Sequence, residues 1–309
     1  MSGMNKLEMP MSALPARRRA LMLVNPNARR GTAALEPVVE HLRAGGVDAF
    51  IERFAAPDEV SADIARRRHE ADLGIVCGGD GTINSAAKGI LETGLPLGIM
   101  PMGTANDLAR TLRIPDDLLK AADVIIAGQT SRVDLGEVNG HPFFNVASLG
   151  LSVDLAHGLT PEAKRRWGKL GYVLAAIKVA VRAKPFRAEI ISASEQVSVK
   201  TLQIAVGNGV HYGGGTVIHA DATIEDGNLD LYSLELKNVW KFGLMLGAFR
   251  RGEHGLWDEV RTAKSTEFDI RTREPMPINT DGDIVTQTPA HFVIRPRAIT
   301  VFAPGGSQG

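Results

Sequence analysis

The stretch Val76–Ile90, VCGGDGTINSAAKGI, decides how the first half of the chain is read. Leu73, Gly74, Ile75 and Val76 lead in as an apolar strand, and a helical segment follows. Between them lies Gly78-Gly79-Asp80-Gly81-Thr82. Glycines let the backbone turn sharply and let a bulky anion approach the amides. Thr82 is placed to cap the helix, whose amino end favours negative charge. Asp80 is the odd member. An acid beside a phosphate is repelled unless a cation lies between them, and magnesium takes carboxylate and phosphate oxygens together. The loop reads as a magnesium-nucleotide site, or more plainly as a tight turn whose Asp80 caps the helix.

Around this loop the chain alternates strand and helix. Apolar strands are expected at Arg19 to Val24, Asp48 to Phe54, Asp72 to Cys77 and Leu97 to Met100. Helices are expected at Thr32 to Ala44, Glu59 to Glu70, Thr82 to Leu91 and Ala105 to Leu112. The alternation predicts a parallel sheet with helices on both faces. Ligands of such sheets bind beyond the carboxyl ends of the strands. A second loop of small residues, Pro101 to Asp107 (PMGTAND), lies at that end too and again finishes on a carboxylate. Taken alone, Asp107 reads equally as a helix-start acid, and Asp134 as a solvated strand residue.

Near residue 130 the pattern changes. Arg132 to Val138 and Pro142 to Ala147 flank Asn139-Gly140, a hairpin signal. Strands are then expected at Ala188 to Ser192, Ser198 to Val206, Leu229 to Leu236, Glu267 to Arg271, His291 to Arg295 and Ala298 to Ala303. Helical stretches at Pro161 to Lys184 and Val239 to Arg250 interrupt them. The division expected is a disordered tail over 1–19, an α/β nucleotide domain over 20–145 and a mainly antiparallel β domain over 146–303.

Composition removes several classes of function. The 309 residues are 44% hydrophobic, enough for a sizeable core. Lys plus Arg equals Asp plus Glu at 35 each, so no overall field draws nucleic acid, and 5% aromatics make a poor base-stacking platform. The single cysteine, Cys77, excludes a disulfide framework and suits a reducing setting. The apolar run after Arg17-Arg18-Arg19 stops at Asn25-Pro26, too soon for a signal peptide, and no later run is long enough to span a membrane. A soluble, cytoplasmic protein is expected. There is no G-x-x-x-x-G-K-[ST], no G-x-G-x-x-G after a strand, no G-x-S-x-G and no H-E-x-x-H.

Asn25-Pro26, GGDGTIN at 78–84 and GTANDLA at 103–109 resemble, in that order, the diacylglycerol kinase catalytic domain, whose superfamily includes sphingosine and ceramide kinases. VDLGEVNG at 133–140, NVASLGLSVDL at 145–155, VGNGVHYGGG at 206–215, ADATIEDGNLDL at 220–231 and NTDGD at 279–283 extend the likeness through the chain. It is most similar to the bacterial, soluble YegS-like lipid kinases. Glycine-aspartate loops also occur in NAD kinases and phosphofructokinases, so the lipid-kinase likeness rests on the whole series.

The resemblance implies an amino-terminal α/β nucleotide domain like that of phosphofructokinase and NAD kinase, built on a parallel sheet. A carboxy-terminal, mainly antiparallel β-sandwich domain completes the active-site cleft and the lipid site. It implies ATP over Asn25, Pro26, Asn27, Ala28, Arg29, Gly78, Gly79, Asp80, Gly81, Thr82, Ile83, Asn84 and Thr104. It implies a catalytic Mg2+ network through Asp80, Asp107 and Asp134, and Asp281 as the base that takes the lipid hydroxyl proton. Asp283 stands where many relatives carry glutamate. A structural Mg2+ is implied at Asp226, with backbone carbonyls of Thr223 and Asn228; by its residues alone, that segment reads as a hairpin turn. Relatives often have an ATP-contacting threonine near the end of the second strand, and Ile51-Glu52-Arg53-Phe54 has none.

The function expected is ATP-dependent phosphorylation of a lipid hydroxyl, that of diacylglycerol or a related lipid such as phosphatidylglycerol. The alternatives are a soluble-metabolite kinase of the NAD kinase type, a sphingoid-base kinase, or a non-catalytic sensor that keeps the fold. Lys164-Arg165-Arg166-Trp167-Gly168-Lys169-Leu170-Gly171-Tyr172 mixes basic and aromatic residues, which fits peripheral contact with an anionic membrane, or equally the solvated end of a packed helix. The partners expected are a lipid at the membrane surface and no nucleic acid, with a homodimer left open.

Overall fold

A computed structural model of the chain describes residues 17–25, 35–151, 184–208, 211–212, 216–217, 223–235 and 260–305. Residues 1–16 of the expected tail, the helical stretches at 161–184 and 239–250, and the basic-aromatic segment at 164–172 fall outside the described residues, Lys184 apart, whereas Arg18 and Arg19, expected in the tail, are the first residues of a strand.

The first half runs β1 (Arg18–Val24), α1 (Glu36–Ala44), β2 (Val47–Arg53), α2 (Glu59–Arg66), β3 (Leu73–Gly78), α3 (Asp80–Thr93), β4 (Leu97–Pro101), α4 (Asp107–Thr111) and α5 (Leu118–Ala127). Strands β2-β1-β3-β4 form a parallel sheet. Every residue of β3 and β4 is buried, the signature of strands covered on both faces. Two glycines show how closely the helices approach. A β-carbon on Gly74 would meet Ile90 of α3, and one on Gly98 would meet Ile125 of α5. Gly98 pairs with Ile75, so Gly74 and Gly98 point to opposite faces of the sheet. Helices α3 and α5 therefore cover opposite sides. Helix α5, which the periodicity of the sequence did not single out, has clear end signals. The Asp117 side chain accepts the Lys120 N–H at its start, and Gly128 closes it at φ 74°.

The second half runs β5 (Thr130–Val138), β6 (His141–Phe143), β7 (Val146–Gly150), β8 (Phe186–Ile191), β9 (Gln196–Thr201), β10 (Gln203–Gly207), β11 (His211–Tyr212), β12 (Thr216–Val217), β13 (Leu229–Leu234), β14 (Val260–Ser265), β15 (Glu267–Thr272), β16 (Pro277–Thr280), β17 (Asp283–Gln287) and β18 (Ala290–Phe302). Strands β14-β13-β10-β7-β16-β17 make an antiparallel sheet. Its core-facing residues, among them Leu149, Ile204, Val206 and Leu231, pack against Phe268, Ile270 and Phe292 of the other sheet, which closes the sandwich. The expected two-part fold is present, but the two parts share a sheet. Strand β18 pairs with β15 and β5 and then, through Val301 beside Leu97, lies parallel to β4.

Four expected runs are divided differently, each time at a polar group. Asn139 and Gly140 both have positive φ, 48° and 83°, and form the β5–β6 hairpin. Its second arm stops at Phe143, because the next three amides turn to Asp281. The run 198–206 splits into β9 and β10 in different sheets. At that corner the buried Thr201 hydroxyl bonds the Gln203 and Leu234 carbonyls. The runs 291–295 and 298–303 are one strand, β18, with an irregular register between Arg295 and Ile299. There Arg297 adopts φ 51° and donates its N–H to Asp134 Oδ1 at 2.6 Å.

Candidate active site

Helix α3 begins directly at Asp80, with Gly79 before it and no side chain capping it. Thr82 is thus not the cap its sequence position suggested. It sits in the first turn, where its hydroxyl accepts from Asn25 Nδ2 at 3.0 Å. Asn25 is tied in turn through its N–H to the Cys77 carbonyl, 3.2 Å away. Asp80 does not cap its own helix either. Its Oδ1 accepts the Leu108 N–H at 3.0 Å, satisfying an end amide of α4 across the two loops.

The glycines have specific neighbours. A β-carbon on Gly78 would strike the Thr82 side chain at 2.5 Å. One on Gly103 would lie 2.5 Å from the Gly79 α-carbon and 2.8 Å from Asn106 Oδ1. The 78–82 and 101–107 loops therefore pack backbone on backbone, aided by the Met102 N–H to the Gly78 carbonyl at 2.9 Å. Gly81 is different: its β-carbon would meet only Asp283 Oδ2, at an ordinary 3.5 Å. Replacing Gly103 with Ala is expected to destabilise the fold by about 1–3 kcal/mol through overpacking. Gly81→Ala is expected to leave the melting temperature unchanged while lowering activity, because its methyl group points to the cleft. Thermal melts of both variants check this contrast.

Across from Gly81 and Asp80 stands the β16–β17 hairpin, whose Asp283 Oδ2 a Gly81 β-carbon would meet. Asp281 occupies its turn at φ 48°, followed by Gly282 at φ 117°. Its carboxylate is clasped by three successive amides: Phe144 to Oδ2 at 2.7 Å, and Asn145 and Val146 to Oδ1, each at 3.0 Å. Such bonds favour the charged form, yet burial outweighs them, and with the nearby charge of Asp80 it raises the Asp281 carboxyl to about 7. Partial burial also pushes Asp283 up. The hairpin turn suggested by the sequence is real, but Asp281 is half-buried, with its carboxylate turned to the 144–146 amides rather than freely solvated. Cys77 is fully buried and its thiol is pushed far up, so it supplies no nucleophile.

The remaining acids have partners of their own. Asp107, buried at the start of α4, pairs with Arg110 at 3.0 Å. Asp134 is fully buried and accepts from Gly227 as well as Arg297, each at 2.6 Å. Both bonds hold turns in place. Among the described residues no three His, Cys, Asp or Glu side chains are grouped to hold a metal. Thr104 is exposed at the 101–107 loop, Ile83 is buried in α3, and Asn84 has a buried Oδ1 without a partner among the described residues. Residues 26–29 lie outside the described residues.

At the 223–228 turn, Asp226 already has partners on both oxygens. Oδ1 accepts the Asn228 N–H at 2.9 Å, and Oδ2 lies 2.8 Å from the Lys264 ammonium. These residues do not call for a divalent ion.

Sequence reading gave no role to the 144–146 amides or to Asn208, although NVASLGL and VGNG were both visible motifs. Nothing local to either segment says that a distant carboxylate or carbonyl will meet it.

Residues 19–138 match the diacylglycerol kinase catalytic domain, and residues 146–303 match the YegS C-terminal NAD kinase beta sandwich-like domain. The chain is 31% identical over 295 residues to a Bacillus subtilis diacylglycerol kinase, covering 93% of this chain and 97% of that protein. The chain belongs to the diacylglycerol kinase-like family. A diacylglycerol kinase of Staphylococcus carnosus is 28% identical, with 93% and 96% covered. A crystal structure from Bacillus anthracis strain Sterne, named as a candidate diacylglycerol kinase, superposes with a TM-score of 0.83 at 27% identity, covering 96% of this chain and 99% of that one. The family implies a kinase that uses ATP, and no described helix is long and apolar enough to cross a membrane.

Proposed function

We propose that this protein transfers the γ-phosphoryl group of ATP to the hydroxyl of a lipid, with diacylglycerol or a related lipid such as phosphatidylglycerol as acceptor. The observation that carries the reading is the meeting of Asp281 and Asp283, on the hairpin of one sheet, with the Asp80 end of α3 on the other. Donor and acceptor would enter from opposite walls. The amino end of α3 and the stacked glycine loops would receive the phosphates.

An alcohol is a poor nucleophile at neutral pH, so transfer needs alignment, neutralised charge and a proton acceptor. Asp281 is suited to the last role because its carboxyl sits near 7 and its amide clasp fixes its direction. As the acceptor oxygen bonds to the γ-phosphorus, the bond to the bridging oxygen breaks and ADP leaves with that electron pair. The hydroxyl proton passes to the Asp281 carboxylate. Magnesium, when bound with the nucleotide, would offset phosphate charge, and it commonly keeps several waters. That suits Asp80 acting through bound water, with the buried Asp107 and Asp134, already bonded to Arg110 and to the Gly227 and Arg297 amides, supporting the loops behind it.

Asp226 is served by Lys264 in this chain, so magnesium is expected to act through the nucleotide rather than through this turn. EDTA alone is expected to leave the melting temperature of the nucleotide-free protein unchanged. Lys264→Gln is expected to lower it by a few degrees at most, since the pair is partly exposed, and to make it responsive to added Mg2+. A melting series with and without chelator checks both.

The function is tested by ATP consumption with Mg2+ and separate acceptors: diacylglycerol in mixed micelles, phosphatidylglycerol, a sphingoid base, and NAD. Turnover only with a diacyl lipid supports the proposal. Turnover only with NAD replaces it with the soluble-metabolite reading, and turnover only with the sphingoid base moves the acceptor to that class.

A further inference from the structure

Asp281 is held by amides, and those amides are themselves held from behind. A trans peptide unit directs its C=O and its N–H to opposite sides. The unit between Phe144 and Asn145 donates its N–H to Asp281, and its carbonyl accepts from Asn208 Nδ2 at 2.9 Å. The unit between Asn145 and Val146 also donates to Asp281, and its carbonyl accepts from the Asn208 backbone N–H at 2.8 Å. The second hydrogen of the Asn208 amide goes to the Asp134 carbonyl at 3.0 Å. One buried residue therefore grips the carbonyl ends of both peptide units whose amide ends clasp Oδ1 of Asp281.

The orientation of the Asn208 side chain is fixed by its partners, because only its NH2 group can face two carbonyl oxygens. Its own Oδ1 is buried with no hydrogen-bond partner among the described residues. A side chain kept at that cost is kept for its donors. Bonds at both ends of a peptide unit also polarise it, strengthening each N–H toward the carboxylate.

We infer that Asn208 is a positioning residue for phosphoryl transfer: it fixes the two peptide units that aim the Asp281 carboxylate into the cleft. The inference rests on Asp281 being the proton acceptor. It adds that the aim depends on a side chain that touches neither substrate nor Asp281. Asp134 enters through its backbone carbonyl, which anchors the same amide.

The test is Asn208→Leu, of similar size, uncharged and without the two side-chain donors, with Asn208→Ser as a second variant. The expected result is a fall in kcat of about 10–100-fold with little change in KM for ATP, since only the acceptor wall is disturbed. The acid limb of the pH profile is expected to rise by about one unit, because weaker amide bonds no longer favour the charged Asp281. Asp80 on α3 and Asp283 on β17 are the other acids facing this site, and neither is altered. A fall in kcat with the acid limb unmoved, or wild-type kinetics, would overturn the inference. Failure of both variants to fold, while Asp281→Asn folds, would also overturn it, assigning Asn208 to the core alone. Wild-type turnover by Asp281→Asn would instead remove the base itself, so the two failures are distinguishable.

Discussion

Replacing Asp281 with Asn is expected to lower kcat by about 10²–10⁴-fold, the usual contribution of a positioned general base. The replacement keeps the shape of the side chain but can no longer accept a proton. One of its oxygens becomes an NH2 group. If that group faces the Phe144 N–H, now 2.7 Å from Oδ2, two donors meet and one amide is left unsatisfied. That costs about 1–3 kcal/mol of stability. The melting temperature should therefore fall by several degrees while the fold survives. ATP affinity should hold, because the donor loops lie on the other wall. In the wild type, activity should climb as pH rises through about 7, where Asp281 loses its proton, and level off above it. The variant should lose that limb. Turnover near the wild-type rate would show that Asp281 is not the proton acceptor.

Asp80→Asn is expected to cost about 10²-fold or more in kcat/KM for ATP, since the charge that faces the magnesium-bearing nucleotide is worth several kcal/mol. The substitution is clean for a structural reason. Asp80 Oδ1 accepts the Leu108 N–H, and an amide oxygen can do the same, so the two glycine loops stay joined. A second signature separates this effect from simple damage. The negative charge of Asp80 helps to raise the Asp281 carboxyl, so removing it should shift the acid limb of the pH profile downward. Loosening the amide clasp through Asn208 should shift the same limb upward. Opposite movements from two single substitutions are hard to produce by loss of folding. Kinetics across pH, with melts alongside, check both.

The donor side was legible in the sequence because its chemistry is local. Gly78 to Thr82 and Gly103 to Asp107 each cover the passage from a strand into a helix, and strand–helix alternation places both at one sheet edge. What could not be read was why the glycines are there. Gly79 and Gly103 are matched to each other across 24 residues, a contact that neither loop reveals. The acceptor side was legible only as turns. Asp281 reads as a hairpin acid, and its burial comes from amides 135 to 137 residues away. The misjudged strand ends share that cause. Runs 142–147 and 291–303 are apolar enough to continue or to stop, and their fate is set by the distant carboxylates of Asp281 and Asp134. Local propensity cannot see such partners.

The central claim is that a lipid hydroxyl receives the phosphoryl group at Asp281. It is tested most directly by incubating wild-type protein and Asp281→Asn with Mg2+, labelled ATP and diacylglycerol micelles, and then weighing the lipid product. The account predicts a lipid heavier by one phosphoryl group and carrying the label with the wild type, and almost none with the variant. Label released as free phosphate with no phosphorylated lipid, or equal lipid product from both proteins, would contradict it.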